Sequence, residues 1–560
     1  MSQVKHQQVQ EGKDQLSSNS EEQKGDYFYE KYIPFWSLTD LDNPTNRYLL
    51  IAFRLFQAVW LTHNMVHPDE YWQATEVAYN YVYGGVELPW EWHPDYRLRN
   101  TIYPFYLIGF LSVIKKLGLD YFIVVKLYPY LAHSILVIIS DRYLWDVGKK
   151  TVGSHATRIA LIFYLTNRIY NELIIRCFTN SIETISYIIA FYYYLDVNSK
   201  FTRTTAIMTA LITFSFMMRN TSPVGWIPLL LLKIIYQKSF CAFLQAGVFV
   251  AIPIIGVCIA FDSLYFGELT ITSLNFLRAN ILEGLSKYFG TDPAINYVFV
   301  YMPLFFTVAY PGIMYSFYVY FKDTKLKNQT PYMLYMVAFY LLVFSIIAHK
   351  EPRFLQPLVP FCFLMLGYLL SVNVKNHGCF IKFYIILAVI VELVTYAIMT
   401  NLHFRQWIIM QDLQDKPVAP HSVFSMQKID IPYYSWTHRK DYGEGKNRTK
   451  VLLYQKDPPY ARIKYGVPYQ LLHDHDYNGC LQMIDDLQQG AMRPEYIITY
   501  EFLCGSNFYC YEACIKKFES LGMYELEKSY KTDIEPQANQ FWLYRRTRFL
   551  YRLKEHLTPL

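Results

Sequence analysis

Charge is what this 560-residue chain has least of. Asp, Glu, Lys and Arg make up 18% of it, where a soluble protein averages about a quarter. Set against 53% hydrophobic residues, that scarcity argues against an ordinary soluble enzyme. No basic patch is interleaved with stacking aromatics and the net charge is only +6, so nucleic acid is not an expected partner. The nine cysteines show no pair at zinc-ligand spacing, and neither a metal nor a cofactor is expected. The first 25 residues lack an apolar core and a cleavage site, so they are not read as a signal peptide. No internal repeat is visible, which counts against the matched halves of many transporters.

What is present is apolar length. A membrane helix needs about 20 mostly apolar residues. Candidate spans lie at 48–65, 102–117, 121–144, 159–175, 178–195, 205–218, 224–237, 240–261, 296–321, 332–348, 354–372 and 379–400. Lone charges within them (Arg54, Lys126, Arg168, Glu172, Lys233) should face protein interior or snorkel to the interface. The expected fold is an all-α polytopic membrane protein of about 11–13 transmembrane helices, carrying a C-terminal α+β cap.

Basic loops at 145–158 and 322–327 are expected on the cytosolic side. This places residues 1–47 in a disordered cytosolic tail, loop 66–100 in the lumen and residues 401–560 in a luminal domain, after a membrane region at 48–400. Those ends require an odd number of crossings, and the candidates number twelve. The weakest is 159–175, with Asn167, Arg168, Asn171 and Glu172 in its middle. The sequon at Asn447 suits a luminal glycan. Cys480, Cys504, Cys510 and Cys514 are open to free thiols or to one or two disulfides. In the tail, Tyr496–Tyr500 reads as a strand and 511–522 as helical.

Two strings carry chemistry. His67-Pro68-Asp69-Glu70-Tyr71-Trp72-Gln73 follows the first span. Asp69 is placed to cap a helix with Tyr71, Thr75, Ala78, Tyr79 and Val82 on one face, lying in the membrane interface. The bland reading is a cap beside a dipole-complementing Glu70. The functional one is a general base, Asp69 or Glu70, for glycosyl transfer from a lipid phosphate. That reaction has a good leaving group and needs only one positioned carboxylate. Trp90-Glu91-Trp92, with Arg97 and Arg99, is an interfacial belt or a sugar and phosphate platform. The second string, His349-Lys350-Glu351-Pro352-Arg353-Phe354, packs four ionisable groups between apolar helices. There Arg353, with His349 or Lys350, is suited to a lipid phosphate. The topology puts both strings on one side.

Together these strings resemble the dolichyl-phosphate-mannose-dependent α-mannosyltransferases of the GT-C fold, glycosyltransferase family 22. Arg176 with Asn180-Ser181-Ile182-Glu183-Thr184 is a further match. The resemblance covers about residues 48–400 and thins in the tail, where Pro432–Ser435 with His438 is similar but has no assigned role. It implies an inverting enzyme of the endoplasmic reticulum membrane with a luminal site. Asp69, with Glu70, would be the base. His67, Trp90, Trp92, Arg97, Arg99, Arg219, His349, Lys350 and Arg353 would bind donor or acceptor. Asn220 follows Arg219 where the family more often has Pro, which weakens that assignment. The implied partners are dolichyl phosphate mannose, a GPI-precursor glycolipid and membrane lipids. The Tyr-Trp-Gln extension points to members adding the third GPI mannose in α-1,2 linkage. A fourth-mannose or N-glycan-precursor enzyme is the alternative, and a transporter or scaffold the remoter one.

Overall fold

The structure, a computed structural model, describes residues 29–60, 66–67, 69–86, 88–286, 291–322, 331–402, 407–414, 422–425, 438, 450–453, 488–489, 495–500, 518–536 and 543–554. Asn447, Pro432–Ser435, the four tail cysteines and residues 1–28 lie outside that set.

Helices dominate. Among the described residues, Phe122–Thr151, Phe240–Phe266, Tyr297–Lys322 and Pro352–Ala397 are each long and apolar enough to cross a membrane. The pair Arg168–Ile174 and Thr179–Leu195, bent by 101°, adds a fifth if taken as one span. The other candidates are shorter helices, such as Pro44–Trp60 (17 residues), Arg203–Met218 (16) and Tyr332–Ile346 (15). The candidate at 159–175 is not one helix. It stops at Thr166, and Asn167 starts a new helix by accepting from Tyr170 N–H at 2.9 Å. Glu392 completes that break, accepting from Arg168 N–H at 2.8 Å and from the Asn167 amide at 3.1 Å.

The helix Val359–Leu402 turns back on itself. Phe163 packs against both Phe363 and Tyr384, at 6.0 and 6.1 Å between ring centroids. A straight helix would hold those two rings ~31 Å apart. The turn is at His377, whose backbone is non-helical (φ −130°, ψ 28°). The candidates 354–372 and 379–400 are thus its two limbs.

That turn rests on residues 29–36: Tyr29 donates to the Ser371 carbonyl at 3.1 Å and Lys382 to the Lys31 carbonyl at 3.4 Å. Tyr29 and Trp36 stack with His155, and Arg158 lies 4.4 Å over Trp36. Residues 29–47, expected to belong to a disordered tail, are therefore packed, because their aromatics have a partner surface on the 145–158 segment.

Inside the bundle Arg54 is fully buried and neutralised. Its Nε and Nη2 donate to both Asp141 oxygens at 2.7 and 3.0 Å, and Nη1 to Asn171 and Gln57 at 2.6 and 2.8 Å. Close packing elsewhere depends on glycine. A Cβ at Gly367 would collide with the Ala156 carbonyl oxygen and come 2.9 Å from the Ala160 Cβ. Gly367→Ala is expected to cost about 1–3 kcal/mol by overpacking, read as a lowered unfolding temperature in detergent.

Among the described residues the tail contributes a five-stranded sheet. Its strands are β1 Ser422–Ser425, β2 Lys450–Leu453, β3 Tyr496–Tyr500, β4 Tyr524–Pro536 and β5 Leu543–Leu553. Neighbours β2-β1 and β1-β3 run parallel, whereas β3-β5 and β5-β4 run antiparallel. Of the stretch 511–522, Phe518–Ser520 is helical and 511–517 lies outside the described residues.

Candidate active site

The first string opens a wide π-turn, Tyr71–Thr75, that runs into the helix Glu76–Tyr83. Such turns are frequent at functional sites. Gly84, at φ +75°, lets the helix end with its N–H on the Asn80 carbonyl. The helix differs from the expected interfacial one. Tyr71, Trp72, Ala74, Val77, Ala78 and Tyr79 are all buried, and Tyr81 is the exposed side chain. The reason is cover: the helix packs on Ile102–Lys116 and lies under the loop that follows it. Trp92 of that loop donates its indole N–H to the Trp72 carbonyl at 2.9 Å.

Asp69 makes a long-range contact. Its Oδ2 accepts from Arg353 Nη2 at 2.6 Å, across 284 residues of sequence. Arg353 is held in turn by Glu351, through Nε to Oε2 and through Nη2 to Oε1, the latter at 3.1 Å. Glu351 also meets His349 Nε2 at 2.9 Å and lies 3.9 Å from His67 Nε2. The cap expected of Asp69 is made by His67 instead, whose Nδ1 accepts from the Asp69 N–H at 3.2 Å. The cluster joins both strings, and its carboxylates stay partly open, Asp69 at 27% side-chain exposure. Burial opposes ionisation of Asp69, but Arg353, His67 and Arg99 outweigh it and hold the carboxyl well below its usual range. Burial likewise opposes ionisation of Glu351, and Arg353, His349 and His67 reverse it.

Glu70, the neighbouring carboxylate, points the other way into the core. It is 1% exposed and accepts from Arg176 Nη1 at 2.9 and 3.0 Å, with Tyr130 donating at 3.3 Å. Burial pushes its proton affinity up, and Arg176 only partly offsets that. Its geometry is that of an anchor.

The remaining candidates separate clearly. Arg99 pairs with Glu91 at 2.5 Å, and its charge reaches Asp69. Arg97, strained at φ +47°, pairs with Glu268. Arg219 pairs with Glu183 at 2.7 Å and lies 4.7 Å over Phe354, next to Arg353 in sequence. Lys350 is buried, donating to the carbonyls of Asp292 at 3.0 Å and Ile347 at 2.5 Å, and so braces the loop. Trp92, also buried, packs near Tyr265 and Phe266. Trp90 heads the same short turn, but its side chain lies outside the described residues. Trp92→Phe removes the indole hydrogen bond to the Trp72 carbonyl, and a loss of about 0.5–1.5 kcal/mol is expected, measurable by thermal unfolding. Among the described residues no group of three or more His, Cys, Asp or Glu is arranged to hold a metal ion.

Glu351 was missed as a site residue. Its charge is the signal: a carboxylate two positions before an Arg, in a loop otherwise basic. Asp262 was missed too. It is a buried carboxylate accepting from Thr101 N–H, Thr101 Oγ1, Asn100 and Thr272 at 2.8–2.9 Å. It fastens the end of the 66–100 loop to the helix Ile252–Phe266.

Residues 47–438 match the model of the Alg9-like mannosyltransferase family. GPI alpha-1,2-mannosyltransferase 3 of Bos taurus is 28% identical over 402 residues, 70% of this chain and 71% of that one. GPI mannosyltransferase 3 of Debaryomyces hansenii is 26% identical over 501 residues, 83% and 88% of the two chains. With the Homo sapiens GPI alpha-1,2-mannosyltransferase 3 the match is 28% and spans 58% of either chain. Among solved structures, ArnT from Cupriavidus metallidurans, crystallised with undecaprenyl phosphate, superimposes with a TM-score of 0.56. It covers 92% of this chain and 100% of its own, at 10% identity, a likeness of fold alone. The chain belongs to the Alg9-like mannosyltransferase family and is a multi-pass membrane glycosyltransferase of the GT-C fold.

Proposed function

We propose that this enzyme transfers mannose from dolichyl phosphate mannose to the GPI precursor, adding the third mannose in α-1,2 linkage at the luminal face of the endoplasmic reticulum membrane. The observation that carries the reading is the meeting of Asp69 with Arg353: a partly open carboxylate against a guanidinium of the kind that suits a phosphate, in a chain of the Alg9-like family. The names of the relatives supply the acceptor.

In the reaction, the acceptor hydroxyl gives its proton to Asp69. Its oxygen forms a bond to the mannose anomeric carbon, and the bond from that carbon to the phosphate oxygen breaks. The electron pair leaves with dolichyl phosphate, and attack opposite the leaving group inverts the anomeric carbon. Arg353, with Arg99 and Arg219 nearby, balances the phosphate charge. Glu70 holds the π-turn in place and takes no part in proton transfer. Lys350 and Trp92 brace the two loops that carry these groups.

The test is complementation. Expressed in cells that lack the third-mannose step, the chain should convert the accumulated two-mannose GPI lipid to the three-mannose form. Restoration of a later GPI step or of the dolichol-linked oligosaccharide, without the third mannose, would assign the acceptor elsewhere.

A further inference from the structure

Resting on the mannosyltransferase reading, we propose that Arg353 is a guanidinium shared by Glu351 and Asp69, which the donor phosphate must draw away from Asp69 before Asp69 can act as base. Glu351 is then a positioning residue, the pivot on which Arg353 moves.

The geometry divides Arg353 between two carboxylates. Nε and one Nη2 bond belong to Glu351, and the other Nη2 bond belongs to Asp69. The two attachments are unequal in kind. Glu351 lies two residues away on the same turn and is itself braced by His349, whereas Asp69 comes from a separate loop. A phosphate arriving at the open side replaces the second attachment more readily than the first. Guanidinium groups match phosphate and carboxylate oxygens with the same fork, so the exchange needs rotation of one side chain.

The exchange changes Asp69 chemically. With Arg353 in place its carboxylate is stable as an anion and a poor proton acceptor. The other ionisable groups around it are His67, 3.5 Å from Oδ1, and Arg99, itself paired to Glu91. Among the described residues Arg353 is therefore the one strong cationic partner in direct contact with Asp69, and phosphate binding removes it. Its departure, and the negative charge that replaces it, both raise the proton affinity of Asp69. The base is switched on by the donor, and donor binding precedes productive acceptor chemistry.

Dolichyl phosphate binding to the purified full-length protein tests this directly. Asp69→Asn turns the charged competitor for Arg353 into a weaker, neutral acceptor and is expected to bind dolichyl phosphate about tenfold more tightly than the wild type, the scale of losing charge assistance in one hydrogen bond. Adding Arg353→Lys should abolish the gain. Affinity unchanged or weakened in folded Asp69→Asn overturns the proposal. The wild type supplies a second test that needs no variant. The acid limb of kcat, which reports the donor complex, should lie at least about one pH unit above that of kcat/KM for the donor, which reports the free enzyme. Coincident limbs overturn the exchange. Transfer of mannose without tightening or separated limbs removes the exchange and keeps the enzyme reading. A wild type that neither binds dolichyl phosphate nor transfers mannose removes both.

Discussion

Asp69→Asn will slow mannosyl transfer by about 10²–10⁴-fold, the usual contribution of a positioned general base. The amide keeps the shape of the carboxylate and an oxygen that accepts from Arg353, so the junction between the two strings survives. What it loses is the capacity to take a proton. Incorporation of mannose into the GPI lipid by purified protein measures the effect. Elution profile and unfolding temperature show that the fold is retained. A folded Asp69→Asn protein with wild-type turnover would take Asp69 out of the chemistry.

The second large effect is on stability. Glu70→Ala or Arg176→Ala leaves one member of a fully buried ion pair alone, a change that costs about 3–5 kcal/mol. A marked fall in unfolding temperature in detergent, or loss of folded protein, is the expected result. Replacing both with apolar residues of similar volume should recover much of it, because the pair's own net worth against a well-packed apolar pair is small. Whatever Glu70→Ala protein does fold should keep most of its turnover per molecule. Folded protein with intact stability and no turnover would reverse the roles of Asp69 and Glu70.

Those two predictions treat adjacent carboxylates oppositely, and that difference was not legible in the sequence. Asp69 and Glu70 have the same local pattern. Only the tertiary fold sets Arg176 behind one and Arg353 in front of the other. The strings themselves were legible because charge at the edge of apolar spans is rare enough to stand out. Strand Tyr496–Tyr500 was legible from its aromatic and β-branched run. The turn at His377 was legible as the gap between the candidates 354–372 and 379–400, whereas the helix break at Asn167 was not, since it depends on the distant carboxylate of Glu392. Glu351 was hidden by company. Among basic neighbours it was counted with the string but given no role, which appears only when both histidines and Arg353 converge on it.

Arg54 bears on how the chain is made. The helix Pro44–Trp60 emerges from the ribosome with this guanidinium in its apolar length, 87 residues before Asp141 is synthesised. A lone arginine at the centre of a bilayer helix is costly. That helix is therefore expected to wait at the translocon or the membrane surface until Phe122–Thr151 arrives to accept it. Insertion of these two segments is a joint event. An Asp141→Leu chain should show its defect during biogenesis, as misintegration of a helix far earlier in the sequence, and a glycosylation-site tag placed near residue 44 reports it.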